Sequence, residues 1–394
     1  MIRGMGAWIG FGLSLLVLFS LSRWELGAAL IAAAGVLGFL SLPPAGLLKA
    51  AAETVSSPGM WLLTAVVMVI PAVGALLART GRMGRIIANL PLDRRWFYGV
   101  VPAIFGLLPM PGGALLSAPL LEEAGGAPPA LRAAVNVWFR HILLLVYPLS
   151  SALIVGTKLA GFDVWQVIPY QLPWVTVSIA LGYLLLLRRV SPRAPAPGAV
   201  PKAVLGPLAT ILVAPFIDLL LKYTLHPHPP EIATLCGVGI SLALAGRGLR
   251  CREWLRVVVG SRPWRYGAIV VGMFLYLGIF QATPLPGLIG SLPLSPLAFT
   301  AGAGFALGFA TGRVQMPLSI MIPVYLAKYG GFNPWGFSLA FFSVYLGYLI
   351  SPIHPCLSVS IAYAKTSFGA TIRELAAPAI ISLGLVVLAG ALTL

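Results

Sequence analysis

The sequence predicts an all-α polytopic membrane protein of about ten transmembrane helices plus two re-entrant hairpins, in two inverted-topology repeats. Three observations predict it. Of 394 residues, 59% are hydrophobic and only 9% are charged, where about 25% charged is usual for a soluble chain. Apolar runs long enough to cross a bilayer recur along the whole length. The layout of these runs then repeats after 202 to 208 residues.

Composition excludes several classes. A mean hydropathy of +0.95 leaves no room for a soluble enzyme or a disordered chain. The net charge of +16 comes from short basic clusters between apolar runs, the pattern of charge sorted across a membrane rather than of a nucleic-acid groove. Cys236, Cys251 and Cys356 have no metal-ligand spacing and cannot form a disulfide framework. No GxxxxGK[ST], HExxH or GxSxG motif occurs, which argues against an ATP motor and against an intramembrane enzyme.

A helix needs about 20 apolar residues to cross the hydrocarbon core. Spans are expected near 5–22, 26–42, 58–78, 134–157 and 164–187, and again near 207–223, 231–246, 266–282, 333–353 and 376–394. Arg3 precedes the first run, but Ser22-Arg23-Trp24-Glu25 leads at once into another span without a cleavage site, so a retained first helix is expected. The stretches 96–121 and 297–326 carry glycine and proline at their centres, where a simple helix would lose hydrogen bonds. Both read as re-entrant hairpins, the alternative being a pair of short helices.

These spans sort the charges. One side takes Arg23, Arg79, Arg82, Arg85, Arg94, Arg95, Arg132, Arg188, Arg189, Arg193 and Lys202. It also takes Arg247, Arg250, Arg252, Arg256, Arg262, Arg265, Lys365 and Arg373, for 19 basic residues in all. The other side has 5, namely Arg3, Lys49, Lys158, Lys222 and Lys328. A missed helix would invert every later loop and destroy this asymmetry. The positive-inside rule places both termini outside the cytoplasm.

The halves also echo in detail. Met110-Pro111, Pro119 and Gly125-Gly126 correspond to Met316-Pro317, Pro323 and Gly330-Gly331, and Pro148 and Lys158 to Pro355 and Lys365. The expected organisation is a first repeat at 1–187, a cytoplasmic Pro-rich linker at 188–206 and a second repeat at 207–394. Five spans per half invert the second repeat, and inverted repeats with broken elements at mid-membrane are a design of secondary transporters.

The string Leu108-Pro109-Met110-Pro111-Gly112-Gly113-Ala114-Leu115-Leu116-Ser117-Ala118-Pro119 resembles the signature of a prokaryotic membrane family, domain-of-unknown-function family 401. That family is grouped with the ion transporter superfamily of citrate, dicarboxylate, gluconate and arsenite carriers. The layout of three spans, a hairpin and two spans, repeated inverted, is similar to that superfamily over the whole chain. The resemblance implies a multi-pass protein of the cytoplasmic membrane and a homodimer. The sequence departs from the Ser-Asn-Thr tips of carboxylate carriers, having Pro-Gly-Gly and Arg-Val-Gln-Met-Pro there.

Candidate substrate-binding residues lie at the tips. Gly112, Gly113 and Ser117 occupy the first, where glycine permits close backbone approach. Thr311, Arg313 and Gln315 occupy the second. Arg313 lies between apolar runs, and a guanidinium at that depth faces a cavity or a partner and can grip an oxyanion bidentately. A structural partner such as Asp218 is the alternative. Candidates for coupling a cation are Ser150, Ser151 and Ser358 beside the helix-breaking prolines, and Asp218, the one carboxylate within a span. Lys222, four residues on, offers Asp218 a plain ion pair. Arg140-His141 and Glu122-Glu123 read as interface residues, and His354 as a surface-proximal packing residue.

The expected function is secondary transport of a small, anionic solute by sodium or proton symport, not enzymatic. A channel or a non-transport intramembrane protein is the alternative. No metal or cofactor is implied beyond Na+ as one candidate coupling ion, and the partners are the solute and the bilayer, not nucleic acid. Single cysteines introduced into 247–265 are expected to resist a membrane-impermeant thiol reagent in intact cells and to react after permeabilisation.

Overall fold

A computed structural model describes residues 2–22, 24–107, 113–194, 200 and 202–394. Among the described residues the regular elements are all helical, without a strand. The first half contains α1 (Ile2–Ser22), α2 (Leu26–Ser41), α3 (Pro44–Val55), α4 (Pro58–Arg79), α5 (Arg82–Ala88), α6 (Arg94–Gly106), α7 (Gly113–Ala124), α8 (Pro129–Ile142), α9 (Ser151–Leu159) and α10 (Val164–Leu185). The second contains α11 (Lys202–Thr224), α12 (Glu231–Ala245), α13 (Cys251–Gly260), α14 (Pro263–Ala282), α15 (Leu285–Gly290), α16 (Gly304–Thr311), α17 (Gln315–Tyr329), α18 (Pro334–Ile350), α19 (Pro355–Ala364) and α20 (Phe368–Thr393). A π-helical turn at Ala298–Ala303 leads into α16.

Among the described residues, six stretches are long and apolar enough to cross a membrane: Pro58–Arg79, Val164–Arg189, Lys202–Thr224, Pro263–Ala282, Pro334–Ala364 and Phe368–Thr393. The chain is thus a multi-pass helical membrane protein. The stretch expected as one span at 134–157 is two helices, because backbone near Pro148 leaves the helix between α8 and α9; proline has no N–H to donate and crowds the preceding turn. Two elements had no apolar run to announce them. α3 has only Ala50 buried, and α13 buries no residue.

Helix starts recur at fixed spacing. α4 and α14 open on Pro58 and Pro263, and α8 and α18 on Pro129 and Pro334, 205 residues apart in both cases. Proline suits that position because its φ is preset and the missing N–H would be unpaired anyway. The side chains of Asp163 and Ser367, 204 residues apart, cap α10 and α20.

The contacts recur as well, with the halves exchanged. α2 packs on α14 while α12 packs on α4; α8 meets α20 while α18 meets α10; α7 meets α19 while α17 meets α9. The helices fall into two groups. One contains α1, α2, α4, α11, α12 and α14; the other contains α6–α10 and α16–α20.

The ion pairs among the described residues never mix the two sides assigned from the sequence. At one, arginine-rich end Arg79 pairs with Glu253 (2.5 Å), Arg265 with Glu25 (3.2 Å), Arg132 with Glu122 (3.8 Å) and Arg189 with Glu374. At the other, lysine end Lys158 pairs with Glu231 (2.5 Å) and Lys222 with Asp163 (2.7 Å), and Lys49 lies near Glu53 on α3. A register error of one helix would have brought loops of the two sets together.

Backbone contact holds α16 on α18. A Cβ on Gly308 would lie 2.1 Å from the Val344 carbonyl oxygen, and one on Gly347 would lie 2.0 Å from that of Phe305. No side chain fits without parting the helices. Gly347→Val is expected to cost at least the roughly 1–3 kcal/mol of an overpacked core. The control Gly239→Ala, with nothing within 4 Å of its new methyl, should leave the melting temperature unchanged.

Candidate functional site

Helix interruptions gather in the second group. In the second half α16 stops at Thr311 and α17 resumes at Gln315; α18 stops at Ile350 and α19 resumes at Pro355. Gly312 joins these two interruptions. Its φ of +57° is one that L side chains rarely adopt, and a Cβ there would meet Ile353 and the backbone N of His354 at 2.8–3.1 Å. Ser351 donates from Oγ to the Phe309 carbonyl at 2.6 Å, fixing the same pair of elements. In the first half the segment between α6 and α7 includes Gly112, which lies outside the described residues, and Gly113 opens α7.

Each tip helix reaches across to the interrupted helix of the other half. On α7, Ser117 donates from Oγ to Asn136 Oδ1 at 2.6 Å, and Asn136 donates from Nδ2 to Ser360 Oγ on α19 at 2.9 Å. On α17, Gln315 donates from Nε2 to Ser151 Oγ on α9 at 3.3 Å. The structure therefore joins Ser117, Gln315 and Ser151 to one crossed pair of contacts. Ser150 is buried at the start of α9, where its N–H donates to the Tyr147 carbonyl at 2.8 Å. Thr311 uses its hydroxyl on the carbonyls of Leu307 and Arg313, so it shapes the tip. Ser358 is exposed, and the buried serine of α19 is Ser360, two residues and about 200° further round the helix.

Arg313 lines a cavity of about 350 Å³ shared with Trp24, Glu25, Ser261, Arg262, Arg265 and Tyr266. The cavity lies at the arginine-rich end and separates the second tip from the turns that precede α2 and α14. Its charge is predominantly positive, since three arginines face one carboxylate, and Glu25 is already paired with Arg265.

Asp218 is fully buried elsewhere. Its carboxylate accepts from Trp165 Nε1 and Thr234 Oγ1, both at 2.6 Å, and lies 3.3 Å from Lys222 Nζ. None of these partners belongs to a tip or an interruption. With Lys222–Asp163 and Lys158–Glu231, the cluster ties the α9–α10 segment to α11 and α12 at the lysine end.

A second cationic cluster was placed wrongly from the sequence. Arg140, His141 and His354 were expected near the surface, yet they are 4%, 3% and 0% exposed. The interruption at 351–354 folds His354 back into the group, where its ring centroid is 4.7 Å from that of His141 and 4.0 Å from that of Tyr348. His141 Nδ1 lies 2.7 Å from the Val137 carbonyl and His354 Nδ1 3.3 Å from that of Leu349. Arg140 Nη1 and His354 Nε2 are buried without a hydrogen-bond partner among the described residues. Ligand atoms of His141, His354 and Cys356 come within 4.8 Å of one another, but Arg140 acts electrostatically on both rings. That charge opposes a metal cation and favours an anion. The signal for this cluster was legible: Arg140-His141 interrupts an apolar run shortly before Pro148.

A family model described as protein of unknown function (DUF401) matches residues 14–392. No curated protein matches the chain.

If the Asp218 cluster is a clasp, Asp218→Ala strands Trp165 and Thr234 and leaves Lys222 to Asp163 alone. Breaking a buried pair costs about 3–5 kcal/mol, and a lowered melting temperature is the expected result. Asp218→Asn, which keeps the shape, should melt at an intermediate temperature with the same response to sodium and to pH as the parent. A lost sodium or proton response in Asp218→Asn would instead make the residue a coupling group.

Proposed function

The chain belongs to this DUF401 family, and from that premise we propose that it is a secondary active transporter of a small, anionic solute, driven by a sodium or proton gradient through alternating access. One observation carries the reading. Two tip helices, one from each half, cross onto the interrupted helix of the opposite half, through Ser117–Asn136–Ser360 and Gln315–Ser151. Non-helical backbone at membrane depth survives only where protein covers it or a water-filled cavity borders it. Interruptions gathered in one place are therefore a site held at a cost, and a solute is the ordinary reason for such a cost.

The exchanged contacts support reading the halves 1–187 and 207–394 as inverted repeats, with 188–206 as the cytoplasmic linker between them. On this reading 96–121 and 297–326 are re-entrant hairpins that enter from opposite faces, and both termini are extracytoplasmic. Two copies of one unit in opposite orientation give alternating access a simple origin, because exchanging their conformations moves the opening to the other face. Membership of the ion transporter superfamily and a homodimer in a prokaryotic cytoplasmic membrane complete the proposal.

The anionic character of the solute rests on Arg313. It lies at the second tip in a cavity whose other charged walls are Glu25, Arg262 and Arg265, and its planar fork suits a carboxylate or another oxyanion. Gln315 and the tip glycines Gly112 and Gly113 would add neutral donors and close backbone approach.

The test is transport by purified protein in liposomes, with labelled carboxylates, phosphate and sulfate. A carrier exchanges label faster when unlabelled solute is present on the far side, whereas a channel does not. In the same assay Arg313→Lys should weaken the transported anion by about 10- to 150-fold, the roughly 1.5–3 kcal/mol of a charge-assisted bidentate contact. Unchanged affinity with a lowered melting temperature would make Arg313 structural and remove the main reason for an anionic solute.

A further inference from the structure

Arg140 and His354 carry buried polar atoms that no contact among the described residues uses. Arg140 on α8 and His354 at the interruption before α19 are both more than nine-tenths buried, and Arg140 Nη1 and His354 Nε2 have no hydrogen-bond partner. A buried polar atom left unpaired is costly, and more so when charged. An arginine in a dry interior without a carboxylate beside it is costlier still. Such a pair is explained if a transient ligand supplies the missing acceptors.

The ring nitrogens say what that ligand must bring. A backbone carbonyl can only accept, so the nitrogen facing it carries the hydrogen. His141 is fixed in this way by Val137 and His354 by Leu349, both through Nδ1. In the neutral ring Nε2 is then a bare lone pair, which repels the oxygen of an anion. Only after Nε2 gains a proton does it become a donor. The groups around the two rings are Arg140 from α8, Tyr348 from α18 and Cys356 from α19. Tyr348 is itself within electrostatic reach of Tyr345, Arg140 and Arg313. No carboxylate is among them. No group in this set can balance a charged histidine until an anion arrives, and Arg140 is the one positive charge there until a histidine is protonated.

We propose that Arg140 and the His141–His354 pair form an occluded oxyanion site that fills only together with a proton. Arg313, in the cavity, and Arg140 both act electrostatically on Tyr348. The proposal rests on the anion-transport reading and names its coupling ion. For a monoanion the step adds no net charge to the dry site: one negative charge and one proton enter, and the proton resides on a histidine Nε2. The linkage has a definite sign. An anion raises the proton affinity of the pair, so the anion binds more tightly as pH falls.

The test uses the full-length protein in lipid nanodiscs and calorimetric titration with sulfate, inorganic phosphate, succinate and citrate at pH 6, 7 and 8. Repeating each titration in buffers of different ionisation heat counts the protons taken up, after subtraction of the anion's own titration. The expected result is that at least one of these anions binds with uptake of about one proton and loses up to about tenfold in affinity per pH unit. His354→Gln should lose both the proton uptake and the pH dependence. Arg140→Lys should weaken binding at every pH while keeping the proton uptake. Melting temperatures of the anion-free variants verify folding, and if His354→Gln does not fold, His141→Gln and the proton count of the parent protein decide. An anion that binds equally at pH 6 and pH 8 without proton uptake overturns the proposal and leaves anion transport standing. No binding by any of the four anions at any pH overturns both. Stoichiometric Zn2+ or Cu+ on the parent protein, lost in His354→Gln and Cys356→Ser, would make the cluster a metal centre and overturn the proposal as well.

Discussion

The constraint on which this structure depends is that backbone polar groups at membrane depth must find partners inside the protein. A continuous helix meets it alone, but α16, α18 and the α8–α9 segment do not continue. Their stops are brought together so that each covers another. Ser351 donates to the carbonyl of Phe309, Gly312 lies against the backbone of Ile353 and His354, and Gln315 reaches Ser151. None of these groups could stay inside the protein by itself. The second helical group holds together because its breaks do.

Close backbone approach is the means. Gly308 and Gly347 remove the side chains that would hold α16 and α18 apart, and with little hydrophobic driving force between helices in lipid, such contact is a principal source of attraction. It also fixes the depth of the tip. A tip seated by backbone contact has little freedom to slide relative to the interruption it covers, so Arg313, Gln315 and His354 keep their relative positions. Among the described residues the helices of the first group run without such breaks.

Much of this was legible from residues. Apolar runs marked the long helices, and Gly312 with Met316-Pro317 marked the break between α16 and α17, because glycine and proline act through the backbone and need no partner to be recognised. Side-chain destinations were less legible. Arg140 and His141 look like an interface pair by composition, and only the interruption after Ile350, which turns His354 inward, shows that they are core residues. Ser358 and Ser360 are indistinguishable in the sequence, and only the helix phase sends one to the surface and the other to Asn136. Asp218 was visible as a buried acid with Lys222 nearby, but Trp165 and Thr234 come from other helices. The paired prolines 58 and 263, and 129 and 334, were the repeat signal left unread, since proline at a helix start is as informative as proline at a break.

The matched helix starts and exchanged contacts by themselves would make the two ends of the molecule alike, and they are not. Asp163 caps α10 and binds Lys222, whereas its counterpart Ser367 caps α20 with a neutral hydroxyl. Glu231 opens α12 and binds Lys158, whereas Leu26 opens α2. Acidic groups thus clasp the two helical groups at the lysine end, while at the arginine-rich end a cavity of about 350 Å³ separates them. The strength of this clasp matters to the proposed cycle. Lys158 and Asp163 keep 37% and 31% of their side-chain surface exposed, and partly solvated pairs of this kind contribute about 0.2–1 kcal/mol each. Asp218 adds a buried bond across the two groups, accepted from Trp165 on α10, while Thr234 on α12 holds it from its own side. The two pairs together then contribute about 0.4–2 kcal/mol, so the lysine end is held mainly by the buried bond between Trp165 and Asp218, whose loss would leave a carboxylate short of a donor in a dry interior.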